Sequence, residues 1–252
     1  MRWYAWLTLI ILVCISIVVL FERQIDREIY TIDRVAFDDI SFRTGDVILA
    51  RHDYFYDFDI LRYISLGVGS KVLTGSVYTH ACLVVVIDGI SYVYHTHLHP
   101  GYDSYSSMYK YKYVGLERLD EYVYGTNSEF IHYQYTGRSI DSDVMAIIQE
   151  YDRRNITYTI NPINFVNVVS PGPFKFGDEY ICTHLLAEIL QQVDIFDTTL
   201  PSHKYNPMTI YNDMCASPDF LTERPRLIKN IQYALRRYGS LQVDPLYLNS
   251  ID

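Results

Sequence analysis

Two short segments carry side chains whose types could support nucleophilic catalysis. Residues 77–86 read Val-Tyr-Thr-His-Ala-Cys-Leu-Val-Val-Val, which predicts a buried strand with His80 near its start. Residues 179–186 read Glu-Tyr-Ile-Cys-Thr-His-Leu-Leu, which predicts that Cys182 lies in the first turn of an amphipathic helix. A helix N-terminus stabilises a thiolate, and an imidazole on a facing strand can accept the thiol proton. Cys182 and His80 are therefore candidates for a nucleophile with a lowered pKa and for its general base.

Structural interpretations of both residues stay open. A lone cysteine is commonly a small buried hydrophobe, and a histidine beside an apolar strand is commonly a hydrogen-bonded core residue. It is the possible pairing of His80 with Cys182 that favours a functional role. The cysteines, at positions 14, 82, 182 and 215, form no CxxC pair, which argues against a zinc knuckle or a dithiol redox site. A disulfide of Cys215 with Cys82 or Cys182 also stays open.

A third histidine, His95, follows a predicted β-hairpin. Asp88-Gly89 is the turn signal, and residues 91–95 form the predicted return strand. Antiparallel pairing would bring His95 near the level of His80. There it could hydrogen-bond the first imidazole and fix its tautomer, which is the orienting role of the third member of a catalytic triad.

The alternation of His95, His97 and His99 supports a competing interpretation. Alternate residues of a strand share one face, so these three imidazoles could bind zinc and leave a fourth position open. Pro100-Gly101 ends the strand immediately, which weighs against this site. Asp46, beside a predicted strand, is interpreted as a turn residue.

The N-terminal segment is predicted to anchor the chain in a lipid membrane. Residues 3–21 are almost entirely apolar, and their length approaches the roughly 20 residues of a membrane-spanning helix. A signal peptide is the alternative, but this run is longer than a signal-peptide core and no small-residue cleavage site follows it. Arg23 and Arg27, in the charged stretch that comes next, favour a cytosolic location for the following domain.

The composition limits the class of protein. The net charge is -9, which argues against a nucleic-acid partner because phosphate binding needs clustered Lys and Arg. Hydrophobic residues make up 49% of the chain, enough for one domain with a core. We expect a transmembrane anchor over residues 1–24, a juxtamembrane connector over residues 25–41 and a single domain over residues 42–252.

Hydrophobic periodicity predicts an α+β domain in which an antiparallel sheet packs against the Cys182 helix. A Gly45-Asp46 turn leads into the first strand of this domain. The predicted strands cover residues 47–50, 77–87, 91–95 and 130–135. The predicted helices cover residues 58–66, 142–153, 180–193 and 225–238, and residues 161–177 are predicted as a loop.

The order of these motifs resembles the circularly permuted NlpC-type papain-like family, which includes YiiX-like bacterial proteins and poxvirus members. Gly45-Asp46-Val47 comes first, Thr79-His80-Ala81 starts a strand, a hairpin leads to His95, and Tyr180-Ile181-Cys182-Thr183 opens a helix. In the permuted group the cysteine helix follows the histidine strand, as it does here. Pro207 and the segment after it resemble the C-terminal proline-containing loop of that family.

The resemblance implies a papain-like permuted fold with Cys182 as nucleophile, His80 as general base and His95 as the third polar residue, where the family often has Glu. The implied chemistry is attack on an acyl carbonyl of an amide, ester or thioester, by a hydrolase or acyltransferase that needs no cofactor or metal. Relatives that resemble lecithin:retinol acyltransferase act on lipid acyl chains, so lipid, lipid-modified and peptide substrates all stay open. The poxvirus likeness implies a viral membrane protein. The alternative is a catalytically inactive membrane or virion protein that uses the same fold for binding.

Overall fold

The computed structural model describes residues 32–52, 76–98, 112–126, 128–158 and 179–228, together with Trp6 and Val13. Several predicted features lie outside the described residues: the bulk of the anchor over 3–21, the helix over 58–66, the loop over 161–177, and His99. None of the helices in the described ranges has the length and apolar character needed to cross a membrane.

The described residues form a sheet of seven strands and a separate pair of short strands. The seven-stranded sheet has the order β1-β9-β6-β2-β3-β4-β5, and its neighbours are antiparallel except for the parallel pair β1–β9. The short strands β7 and β8 pair in parallel. Strands β1 to β9 span Asp33–Val35, Val47–His52, His80–Ile87, Ile90–Leu98, Lys112–Arg118, Ser128–Tyr135, Thr157–Tyr158, Glu179–Tyr180 and Phe220–Ile228.

Residues 32–228 contain four described α-helices, which confirms the α+β class. Helices α1 to α4 span Leu119–Gly125, Asp141–Arg154, Cys182–Gln192 and Pro207–Ala216. Short 3-10 helices cover Phe37–Asp39 and Ser202–Lys204. Asn206 fixes the start of α4, because its side chain accepts hydrogen bonds from the backbone N–H groups of Met208 and Thr209.

The two faces of β3 are buried by different helices. Ala81, Leu83 and Val85 belong to the apolar cluster that includes the buried residues of α2, α3 and α4. Cys82 and Val84 belong to a second cluster, which includes the buried residues of α1. The prediction that this strand is buried on both faces is confirmed, and each fully buried Val or Leu contributes about 1.5–3 kcal/mol to folding.

A two-residue turn joins β3 to β4 as the sequence predicts. Asp88 has φ 52° and Gly89 has φ 78°, and consecutive positive φ values characterise the type I′ turn favoured in tight hairpins. The turn sets the pairing of Val84 with Val93 and of Leu83 with Tyr94. Side chains that alternate along the two strands therefore meet on the same face of the sheet.

Other predicted elements shift or change type. The helix predicted over 180–193 begins at Cys182, because Glu179–Tyr180 pairs with Thr157–Tyr158 as a strand. The segment that follows Pro207 is helix α4, and the expected loop there is wrong. The strand Asp33–Val35 lies within the residues assigned to a connector, so the sheet begins before residue 42.

The helix predicted over 225–238 is wrong over its first residues, which belong to strand β9. Proline suits a helix start, but Pro225 also fits an irregular strand. A residue at a bulge donates no hydrogen bond to the ladder, so the N–H that proline lacks is not needed there. The pairing of β9 with β6 has a register shift between His132 and Gln134, in the part of the ladder that faces Pro225. Burial of Ile228 against the sheet favours the strand, and residues 229–238 lie outside the described ranges.

Asp46 does more than close a turn. Its carboxylate accepts the Arg43 N–H across the turn, at 3.1 Å, and the Tyr135 N–H from strand β6, at 2.8 Å. It also accepts a hydrogen bond of 2.8 Å from Nε2 of His132, and both side chains are fully buried. Gly45 precedes it with φ 103°, and a Cβ there would lie 2.6 Å from the Tyr135 ring. These contacts fix the entry of the chain into β2.

Helix α3 is held in place by a polar cluster around Glu188. The Glu188 carboxylate accepts hydrogen bonds from the hydroxyls of Tyr151 and Tyr180, each at 3.0 Å. It also contacts Nε2 of His184 and the hydroxyl of Ser202, each at 3.2 Å. Burial opposes ionisation, but the hydrogen bonds from His184 and the two tyrosines outweigh it and lower the pKa of Glu188 to about 2. The cluster joins α3 to α2, β8 and the 3-10 helix.

We predict that Glu188→Gln lowers the free energy of unfolding at pH 7 by about 1–2 kcal/mol, because it removes charge-assisted hydrogen bonds. A carboxyl whose folded pKa is depressed stabilises the protein above its unfolded pKa of about 4.3 and loses that effect as pH falls toward the folded value. The difference between the variant and the unsubstituted protein should therefore shrink between pH 5 and pH 3. Urea unfolding across this range, with the exposed Glu121→Gln as control, measures it. A difference that is independent of pH would contradict the assignment.

Candidate active site

The structure brings His80 and His95 into direct contact. Nε2 of His80 lies 3.0 Å from Nδ1 of His95, and both side chains are buried. The hairpin register explains the contact, because it places the two histidines on the same face of neighbouring strands. The predicted proximity of these two imidazoles is therefore observed.

The chain of contacts continues to a residue that the sequence analysis did not select. Nε2 of His95 lies 3.2 Å from a carboxylate oxygen of Glu117 on strand β5. Pairing of β4 with β5 sets His95 opposite Gly115 and Val93 opposite Glu117, so Glu117 shares the face of the two histidines. The side chain of Glu117 is 27% exposed, so the chain of contacts runs from a buried pair toward solvent.

The direction of these hydrogen bonds follows from the carboxylate. An ionised carboxylate only accepts, so Nε2 of His95 carries a proton. In a neutral ring Nδ1 of His95 is then an acceptor, and Nε2–H of His80 donates to it. This assignment leaves Nδ1 of His80 unprotonated and able to accept a proton, which is the state that a general base needs.

Cys182 begins helix α3 at the end of the β3–β4 ladder. The ladder runs from the Ile87–Ile90 pair to the Leu83–Tyr94 pair, and Ala81 lies just beyond it. The backbone N–H of Ala81, the residue after His80, hydrogen-bonds the Cys182 thiol, as do the N–H groups of Cys182 and Thr183. The thiol therefore lies beside the first residues of the strand that carries His80.

The expectation of a lowered thiol pKa is wrong. Burial raises the pKa of Cys182 to about 11, although hydrogen bonds from the N–H groups of Ala81, Thr183 and Cys182 itself lower it in part. The desolvation of a thiolate in an apolar environment outweighs the favourable helix N-terminus. Cys182 is consequently a thiol in the structure, and a base must remove its proton during attack.

A second cysteine and a tyrosine complete the surroundings of the histidines. Sγ of Cys82 lies 3.7 Å from Nδ1 of His95 and 3.6 Å from the hydroxyl of Tyr122 on α1. Burial raises the pKa of the Cys82 thiol well above its usual range, and charge on Cys182 would raise it further. Cys82, Cys182 and Cys215 are all free thiols, so neither disulfide left open by the sequence is formed.

The zinc site suggested by the alternation of His95, His97 and His99 lies partly outside the described residues, so it stays a prediction. Within the described residues, the group that could hold a metal ion is His80, Cys82 and His95, whose ligand atoms lie within 4.8 Å of one another. His97 lies in β4, but its side chain is outside the described part of the structure, as is all of His99. Within the described residues, the potential ligands thus come from two neighbouring strands.

Comparisons with known proteins give likenesses to solved structures. No family model matches the sequence, and no curated protein matches it. The crystal structure of metalloprotein yiiX from Escherichia coli O157:H7, DUF1105, aligns with 77% of this chain and 91% of that chain. The alignment has a TM-score of 0.35 and a sequence identity of 11%. At this TM-score the chemistry of the site has to follow from its own geometry.

Sequence reasoning missed Glu117, Tyr122 and the placement of Cys82. Glu117 and Tyr122 lie in β5 and α1, two elements that the periodicity did not identify. Cys82 shares the face of His80 because it lies two residues along the same strand, and that period was visible in the sequence.

We predict that alkylation of Cys182 by iodoacetamide accelerates about tenfold per pH unit between pH 7 and pH 9, because the thiolate is the reacting species and its pKa is about 11. Exposed Cys215 should be labelled before Cys182 at pH 7, and buried Cys82 last. Peptide mapping by mass spectrometry at each pH gives the three rates. A Cys182 rate that reaches a plateau below pH 8 would show a thiolate that burial does not suppress.

Proposed function

We propose that this protein is a thiol hydrolase or acyltransferase that uses Cys182 as nucleophile, His80 as general base and His95 as the residue that orients His80. The observation that carries the proposal is the hydrogen-bonded chain from Glu117 through His95 to His80, beside the strand end where the Cys182 thiol lies. That chain selects the His80 tautomer whose Nδ1 accepts a proton. Glu117 is a positioning residue that acts through His95.

The proposed reaction proceeds in two balanced steps. Sγ of Cys182 attacks the acyl carbonyl while its proton passes to Nδ1 of His80, and the leaving group departs with that proton. Water or another acceptor then attacks the acyl-enzyme, gives its proton to His80 and releases Cys182 as a thiol. Because the pKa of Cys182 is raised, proton transfer accompanies attack instead of preceding it. The N–H groups at the start of α3 are donors available to a developing oxyanion.

The substrate class in this proposal is an acyl amide, ester or thioester. A lipid or lipid-modified substrate agrees with the apolar segment over residues 3–21, which we propose anchors the chain in a membrane. A peptide amide would undergo the same chemistry at the thiol. The proposal also includes a viral source for the protein, which the likeness to poxvirus proteins implies.

A second candidate function is a catalytically inactive protein that uses the fold for binding in a host or virion membrane. The observation that favours it is the raised pKa of Cys182, since a neutral thiol is also the state of a structural cysteine. Formation of a covalent acyl-enzyme distinguishes the two candidates, because a binding protein forms none.

We predict that Cys182→Ala and His80→Asn each reduce turnover by about 10³-fold or more. The reason is that the loss of one member of a catalytic unit costs about as much activity as the loss of all its members. His95→Asn should cost less, about 10–100-fold, since an amide oxygen can still accept from Nε2–H of His80. Release of nitrophenolate from acetyl and palmitoyl nitrophenyl esters, with a panel of acyl thioesters and peptide anilides, measures turnover. Intact-mass analysis should find the acyl group on Cys182.

Matched controls separate catalysis from stability. The two controls are Cys215→Ala, which replaces an exposed cysteine, and Glu121→Gln, which replaces an exposed acid on α1. The test variant Glu117→Gln alters the hydrogen bond between residue 117 and His95. Both controls should keep full turnover, while Glu117→Gln should shift the pH profile of kcat. Equal activity of Cys182→Ala and the unsubstituted enzyme would eliminate the covalent mechanism.

We also propose that the domain faces the cytosol. The sequon Asn155-Ile156-Thr157 provides a test, because Asn155 is exposed at the end of α2, with φ 52°. We predict that it stays unglycosylated when the full chain is expressed in animal cells. Gel mobility before and after endoglycosidase treatment measures this, with Asn155→Gln as control. A shift that the enzyme removes and Asn155→Gln abolishes would place the domain in the lumen.

A further inference from the structure

Three potential metal ligands converge on one buried point of the sheet. They are Nε2 of His80, Sγ of Cys82 and Nδ1 of His95, which lie within 4.8 Å of one another. His80 and Cys82 occupy alternate positions of β3, and His95 comes from the adjacent strand. Three rigid strand positions therefore aim two nitrogen atoms and one sulfur atom at the same small volume.

Two of the three separations between these atoms are close to the edges of a zinc coordination tetrahedron. With Zn–N distances of about 2.05 Å and Zn–S of about 2.3 Å, tetrahedral angles give edges of about 3.3 Å between nitrogens and about 3.6 Å between nitrogen and sulfur. The His80–His95 separation is 3.0 Å, and the separation of Cys82 from His95 is 3.7 Å. The third pair, His80 and Cys82, lies within 4.8 Å, so zinc binding would draw these two side chains together.

The outer contact of His95 also fits a metal ligand. Zinc-bound imidazoles commonly donate their second N–H to a carboxylate, which fixes the tautomer and the ring orientation. His95 does this with Glu117, at 3.2 Å, and so directs the lone pair of Nδ1 into the cluster. Two imidazoles and a thiolate are a donor set that suits zinc.

We propose that His80, Cys82 and His95 form a zinc site, with water in the fourth position. Binding converts the Cys82 thiol to a thiolate and releases its proton to solvent. It also breaks the hydrogen bond between the two histidines, because both facing nitrogens give their lone pairs to the metal. The remaining proton of His80 then resides on Nδ1. If the proposed function holds, a zinc-loaded protein cannot use His80 as a base, so zinc is a reversible inhibitor.

The binding test uses the full-length chain in detergent, titrated with Co²⁺ as a spectroscopic probe and then with competing Zn²⁺. We expect one equivalent of tetrahedral cobalt with a thiolate-to-cobalt charge-transfer band. Cys82→Ala should weaken binding by at least about 100-fold and remove this band, and Cys82→Ser, which keeps the side-chain size, should do the same. Cys182→Ala and Cys215→Ala should bind as the unsubstituted protein does. Loss of the band in Cys182→Ala, or its persistence in both Cys82 variants, would overturn the proposed ligand set, as would the absence of binding.

The inhibition test is separate from the binding test. Zinc should suppress ester hydrolysis by the unsubstituted protein, whereas Cys82→Ser should keep in zinc the turnover that it has in chelator. Each protein is compared with its own turnover in chelator, so any effect of the substitution on basal activity cancels. Hydrolysis that requires zinc, or that is insensitive to bound zinc, would overturn the inhibitory role. If no hydrolysis occurs in chelator, the proposed function fails, and the cobalt spectrum still decides whether the metal site exists.

Discussion

The register of one β-hairpin determines the chemistry that this domain can perform. The type I′ turn at Asp88 and Gly89 pairs Val84 with Val93, and this pairing puts His80, Cys82 and His95 on one face. A slip of one residue would move every side chain of one strand to the opposite face. Burial of β3 between two layers of helices prevents that slip, because each face needs its own set of apolar residues.

The site combines a favourable helix terminus with an unfavourable environment for charge. Three backbone N–H groups hydrogen-bond the Cys182 thiol, yet burial leaves its pKa at about 11. Burial also keeps the His80–His95 hydrogen bond away from water. In the low dielectric of the interior, this hydrogen bond is stronger than it would be in water. Low polarity thus favours an ordered base and disfavours a preformed thiolate, so the site depends on proton transfer during attack.

Acyl chemistry and metal binding make incompatible demands on the same imidazole. A general base needs Nε2–H of His80 to donate to His95, whereas a metal ligand needs the lone pair of that Nε2. Glu117 serves both states, because it fixes the His95 tautomer in each. The location of Cys82 two residues after His80 decides whether the second state is possible, since two imidazoles alone would bind zinc weakly.

The sequence by itself determined the elements whose signals are local. The Asp88-Gly89 turn, the apolar run of β3 and the helical period after Cys182 each depend on neighbouring residues, and each is found in the structure. Tertiary structure decided what depends on distant partners. Pro225 lies in a strand because β6 pairs with the residues on either side of it, from Phe220 to Leu221 and from Arg226 to Ile228. Glu117 joins the histidines because β5 pairs with β4. Tertiary structure also decided the protonation state of Cys182, because the packed surroundings set the desolvation of the thiolate. The helix N-terminus, which the sequence revealed, lowers the pKa of the thiol only in part.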